Sequence, residues 1–214
     1  MKKLIHGIVD FGKNLTAQNK EFFADLALKQ KPDALFIACS DSRVVPNLFA
    51  SSNPGDLFVL RNIGNLIPPS SETSDLSSIS ALEYSVCSLN VSDIVVCGHS
   101  ECGAMITLAQ GLENLPSSSL KSWLEYGLPS LKRVKAGYII DPSLEFHNQL
   151  SQVNVLQQME HIKSYSFVHD RLSQNRLRIH GWWFDIAKAQ VFCYEKELNA
   201  FVLINEEEAE NLIQ

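Results

Sequence analysis

The chain has 214 residues, 45% hydrophobic and 20% charged, with a formal net charge of −6. That is long and apolar enough for one sizeable core, and an acidic balance with scattered Lys and Arg argues against nucleic-acid binding. No stretch approaches the ~18 apolar residues of a membrane span. In MKKLIHGIVDFGKN the apolar run is interrupted by His6, Gly7 and Asp10, unlike a signal peptide, so a cytoplasmic protein without a membrane partner is expected.

Residues 1 to 29 are predicted helical, with Phe22, Phe23, Leu26 and Leu28 at near-helical spacing. ALFIAC, 34 to 39, is a short apolar run bounded by turn signals, the pattern of a strand buried on both faces. NPGD makes a turn and LFVLR, 57 to 61, a second strand; NIGNLIPPSSETSD is a long loop with a task at a site or interface. Asp75 is the expected N-cap of a helix to 89, with Leu76, Ile79, Leu82, Val86 and Leu89 on one face. IVVCG, 94 to 98, is a third buried strand, and CGAMITLAQGL turns helical.

After polar ENLPSSS, helical stretches are predicted near 119 to 135 and 144 to 174, then strands in LRIHGWWFDI, AQVFCYE and NAFVLI, then a short acidic helix. Strands alternating with helices predict an α/β fold: a mainly parallel central sheet flanked by helices, with an N-terminal helical arm. A single domain is expected over 1–214, with the arm at 1–29, the core at 30–204 and the C-terminal helix at 205–214. In such sheets ligands sit beyond the carboxyl ends of strands, where Cys39, His99 and Cys102 fall.

The five cysteines, 39, 87, 97, 102 and 193, are odd in number and show no export context, so metal binding or catalysis is a better reading than disulfides for clustered thiols. Two thiols and an imidazole at neighbouring strand ends suit Zn²⁺. A lone Cys ending a strand is usually a small core residue, and a lone His-x-x-Cys is a weak signal. Cys39, however, is followed by Asp41 and Arg43, which a core position does not need. Cys87, Cys97 and Cys193 are expected to be inert packing residues. His6, His147, His161, His169 and His180 lack ligand spacing.

CSDSR followed by HSECG resembles the paired Cys-x-Asp-x-Arg and His-x-x-Cys motifs of the β-class carbonic anhydrases. The likeness continues through PGDLFVLRNIGNLIPP, ALEYSV, IVVCGHSECGAM, NVLQQMEHIKSY and IHGWWFDI. It implies one zinc ion per chain held by Cys39, His99 and Cys102, with water or the Asp41 carboxylate as fourth ligand. It implies reversible hydration of carbon dioxide to bicarbonate and a proton, by zinc-bound hydroxide. Asp41 would orient the water, and Arg43 would keep Asp41 ionised and turned from the metal. Because two thiolates cancel the zinc charge, activity favoured at mildly alkaline pH is expected.

Within that class the sequence resembles the plant-like group, with Phe36 where the closable group has a tryptophan. The resemblance places Gln30 as an amide donor to a substrate oxygen, Phe58 and Tyr84 as aromatic pocket walls, and Ile63 as an aliphatic wall. The backbone N–H of Gly103 would support substrate or oxyanion at a helix start. It also implies a homodimer as the minimal unit, with N-terminal helices reaching over the partner and pocket residues from both subunits. Two rivals share these residues: a hydrolase of another small cumulated molecule, such as carbon disulfide, and a non-catalytic zinc or bicarbonate binder, whose sign would be loss of Asp41 or Arg43. A thiol redox protein would need Cys-x-x-Cys, which does not occur.

Overall fold

The computed structural model describes residues 1–72, 74–116 and 119–213. Thr73, Ser117, Ser118 and Gln214, in the expected loop, polar segment and C-terminal helix, lie outside the described residues. The chain divides into two compact units, Met1–Lys31 and Pro32–Gln214.

The first unit holds α1 (Lys2–Asn14) and α2 (Ala17–Leu26). The predicted helical stretch is thus broken, and the cause is local. Leu15 is extended, and Thr16 caps α2 by a reciprocal box in which its hydroxyl accepts from the Asn19 N–H and Asn19 Oδ1 accepts from the Thr16 N–H. Leu4, Ile5, Ile8 and Phe11 of α1 are exposed within this chain.

The second unit is built on a six-stranded sheet in the order β2-β1-β3-β4-β5-β6. The strands are β1 (Ala34–Cys39), β2 (Leu57–Asn62), β3 (Asp93–His99), β4 (Arg178–Asp185), β5 (Gln190–Glu195) and β6 (Ala200–Leu203). The first four are parallel, and β5 and β6 add on antiparallel. β1 and β3 are central and almost wholly buried, which is why ALFIAC and IVVCG lack polar alternation.

Helices α3 (Pro46–Phe49), α4 (Leu76–Glu83), α5 (Gly103–Gln110), α6 (Ser119–Leu124), α7 (Leu128–Lys135), α8 (Phe146–Lys163), α9 (Ser166–Ser173) and α10 (Glu206–Ile213) complete the unit. Asp75 caps α4 as expected, accepting from the Ser77 and Ser78 N–H groups. The helical region expected over 144 to 174 is broken at Tyr165, which is extended. Its ring is buried and its hydroxyl donates to the Pro68 carbonyl at 2.8 Å, so satisfying a core tyrosine takes precedence over continuing the helix. No helix among the described residues is long and apolar enough to cross a membrane.

Candidate metal centre

β1 and β3 are neighbours and parallel, so their last residues, Cys39 and His99, emerge at the same sheet edge. After His99 the chain turns through Glu101, a non-glycine residue with φ 55°. That turn brings Cys102 to the N-cap of α5. The ligand atoms of Cys39, His99 and Cys102 lie within 4.8 Å of one another, and all three residues are buried.

The His99 ring is oriented so that it could serve as a metal ligand. Its Nδ1–H donates to the Ser100 carbonyl at 2.8 Å, which leaves the lone pair on Nε2. Nε2 is buried and has no hydrogen-bond partner among the described residues, an uncommon and costly state for a core imidazole. The sulfurs of Cys39 and Cys102 are 4.0 Å apart. Two sulfurs at ~2.3 Å from a tetrahedral zinc stand roughly 3.8 Å apart. The donor set therefore fits that ion in chemistry and in spacing.

The two thiols form a hydrogen-bonded pair whose proton affinities are pushed apart. The Cys39 thiol is held below its ordinary pKa, first by the hydrogen bond with Cys102 and also by the Gly64 N–H, against the opposing effect of burial. Cys102 is pushed up because it donates to Cys39 and is buried. The Gly64 N–H lies 3.3 Å from Cys39 Sγ. It can do so because Gly64 adopts φ 78° and packs so closely on Ala104 that a Cβ would stand 2.9 Å from that residue's own.

Asp41 and Arg43 sit on the loop leaving β1. Arg43 Nε donates to Asp41 Oδ1 at 2.9 Å, Nη2 to Oδ2 at 2.8 Å, and the Arg43 main-chain N–H to Oδ1 at 3.0 Å. These bonds, the side-chain ones foremost, hold the Asp41 carboxyl well below the usual carboxylate range. Arg43 Nη2 also donates to the Glu101 carbonyl at 3.0 Å, tying the β1 loop to the His99–Cys102 turn. Arg61 braces the loop from β2, donating to the Cys39 and Asp41 carbonyls at 3.1 and 2.7 Å.

Sequence reasoning missed Gly64, Arg61 and Glu101. Only the apolar-to-basic change at the end of LFVLRN hints at Arg61. Also missed was Trp123, whose indole N–H donates to the Ile63 carbonyl at 2.7 Å.

The residues named as pocket walls are not all brought together within one chain. Ile63, next to Gly64, is 44% exposed, and Gly103 opens α5 beside Cys102. Phe58 and Tyr84 pack on each other, ring centroids 5.8 Å apart. But Asn62 is the register partner of Cys39, and Phe58 lies four residues before it on β2, about 13 Å up the strand. Gln30 is exposed and belongs to the N-terminal unit.

All five cysteines are free thiols. Burial pushes the Cys97 thiol up and, with Glu208 and Glu195 nearby, pushes Cys193 up to about 12, so neither is reactive. Cys87 departs from the expectation of a packing residue: it is exposed, lying off the buried face formed by Leu82 and Val86.

A family model described as carbonic anhydrase matches residues 34–191. A carbonic anhydrase of Synechococcus elongatus is 39% identical over 89% of this chain and 70% of its own length. The β carbonic anhydrase 1 of Caenorhabditis elegans is 34% identical over 100% of this chain and 92% of its own. Among solved structures, that of the β-carbonic anhydrase CcaA superposes with a TM-score of 0.88 at 35% identity, covering 95% of this chain and 99% of that one. A tetrameric β-carbonic anhydrase from Sordaria macrospora gives a TM-score of 0.78 at 28% identity, covering 90% and 95%.

Proposed function

The chain belongs to the β-class carbonic anhydrases, and on that premise we propose that it uses one zinc ion, held by Cys39, His99 and Cys102, for the reversible hydration of carbon dioxide to bicarbonate and a proton. The observation that carries the metal assignment is the buried, unpartnered Nε2 of His99 grouped with two sulfurs. A buried imidazole lone pair without a donor costs stability, and a cation shared with the two sulfurs removes that cost.

When bound, zinc supplies Lewis acidity to a water at its fourth position and lowers that water's pKa. The chain's own residues do the rest. Asp41, kept ionised by Arg43, accepts a hydrogen bond from the reacting water and turns an oxygen lone pair towards the carbon of carbon dioxide. Arg43 holds both Asp41 oxygens, so the carboxylate stays off the metal. The Glu101 carbonyl keeps Arg43 in place, and the Gly64 N–H stabilises the Cys39 thiolate.

We assign the chain to the plant-like group. Support comes from the Asp41–Arg43 pairing and from Phe36, which is buried against Phe49 and Trp182 at the position where the closable group carries tryptophan. The working unit is a homodimer whose carbon dioxide sites draw their lining residues, Gln30, Phe58, Ile63, Tyr84 and Gly103, from both subunits. The separation of Phe58 from the Cys39 row and the exposed apolar residues of α1 favour that arrangement. The test is carbon dioxide hydration by purified protein, with zinc measured on the same sample. Activity that scales with zinc content supports the reading, and zinc-loaded protein without activity refutes it.

A further inference from the structure

α8 is an unusual helix for its position. It lies against β3 and β4, where an apolar face would pack best, yet it buries Asn148, Ser151 and Asn154 at 7%, 1% and 1% exposure. Buried amides and hydroxyls cost stability unless paired. Each of these is paired, and each makes at least one bond to a loop at the metal centre.

Asn148 accepts the Glu101 main-chain N–H at 2.8 Å and donates to Glu101 Oε1 at 2.9 Å. Ser151 Oγ donates to the His99 carbonyl at 2.8 Å and accepts from the Trp183 indole at 3.2 Å. Asn154 Nδ2 donates to the Gly64 carbonyl at 3.1 Å. Its Oδ1 accepts from Ser130 and Gln158, which fixes the amide orientation.

We propose that Asn148, Ser151 and Asn154, one every three residues along α8, are positioning residues that set the spacing of the three metal ligands. Each contact is one step from the donor set. The His99 carbonyl belongs to a ligand. Glu101 precedes Cys102, and its left-handed conformation directs its carbonyl to Arg43. Gly64 is held by Asn154 through its carbonyl, and its own N–H, in the preceding peptide, bonds Cys39. The three side chains are spaced roughly 4.5 Å apart along one rigid helix. The two loops, from different parts of the chain, are thereby referred to a common frame.

Two glycines allow α8 to come close enough. A Cβ at Gly98 would stand 2.7 Å from Val155 Cγ2 and 3.2 Å from the Ser151 carbonyl, and one at Gly181 would stand 2.8 Å from Met159 Sδ. A side chain at Gly98, against Val155 and the Ser151 carbonyl, would move α8 away from the sheet, and one at Gly181 would meet Val155 at 3.0 Å and displace the Met159 thioether.

The inference rests on the zinc assignment above, and release of zinc from the purified holoenzyme to an excess of chelator tests it. Partners of metal ligands typically contribute 10–100-fold in affinity, so Ser151→Ala and Asn154→Ala should release zinc at least ~10-fold faster. The cobalt-substituted forms should show altered thiolate-to-metal charge-transfer absorption. Ile162→Val is the control: Ile162 is fully buried on the same helix and packs in the core cluster that holds none of the ligands. It should lower the melting temperature but keep the release rate within about twofold of wild type.

Should Asn154→Ala fail to fold, Ser151→Ala, which deletes one hydroxyl, carries the test. Wild-type release rates in the folded alanine variants overturn the inference alone, as does equal acceleration by Ile162→Val. A wild-type chain that takes up no zinc overturns the metal assignment and this inference with it.

Discussion

Arg43 grips Asp41 through both carboxylate oxygens, at 2.9 and 2.8 Å, while a further bond to the Glu101 carbonyl keeps the guanidinium from following the carboxylate elsewhere. A surface ion pair of this kind is ordinarily worth about 0–1 kcal/mol, so its value here lies in orientation rather than stability.

The dyad therefore makes a kinetic prediction. Asp41→Asn should keep zinc but lose activity towards the lower end of the ~10²–10⁴-fold that positioned proton acceptors contribute. Arg43→Ala should also lose activity, because it leaves Asp41 free to swing onto the metal. Stopped-flow hydration rates close to wild type in both variants would exclude the proposed role.

Metal analysis gives a second expectation. The purified protein should carry close to one zinc per chain, and Cys102→Ser should lose most of it, because an alcohol is a far poorer ligand than a thiolate. Full activity in a metal-free preparation would sink the assignment.

A crystal structure of the zinc form at mildly alkaline pH should show Asp41 still paired with Arg43. Two charge-assisted bonds compete well against a metal whose charge two thiolates already cancel. Finding an Asp41 oxygen at ~2.0–2.2 Å from zinc in every subunit would overturn both the open site and the plant-like assignment.

Away from the site, Asp93 should make stability depend on pH. Burial alone would raise its pKa, but hydrogen bonds from Arg178, Ser92 and His180 outweigh burial and leave the carboxyl below its ordinary value. A depressed folded-state pKa contributes stability that is fully present above the unfolded value of ~3.9 and is lost as pH falls through the folded value. Asp93→Asn should thus cost about 1–2 kcal/mol at neutral pH. The gap to wild type should close as pH drops below about 4. Urea melts at neutral and acid pH check this, and a gap independent of pH would contradict it.

Where a residue's role is decided by its immediate neighbours, the sequence was sufficient. A strand covered on both faces must be a continuous apolar run, so ALFIAC coincides with β1 residue for residue. Asp75 caps α4 through groups two and three residues away. Cys39, His99 and Cys102 were legible as a candidate metal-binding set because few side chains can do that chemistry and the paired motifs resemble a known family, and the structure brings the three together. The break before α2 was also within reach, since the reciprocal Thr16–Asn19 box is a local signal.

The tertiary structure decided what depends on which distant segments meet. Nothing local in FHNQLSQVNVLQQ says that Asn154 will face Gly64, 90 residues earlier, or that Ser151 will face His99 across 52. Buried polar residues on a helix look like solvent-facing ones until the surface that covers them is known. The same holds for Phe58. Its aromatic character was plain, but only the register of β1 on β2 puts it well up the strand from Cys39 in its own chain. Composition and short-range spacing report chemistry and secondary structure because those act over a few residues. The distances that turn three donors into one site are set by sheet order, strand register and the seating of α8, which exist only once the whole chain has packed.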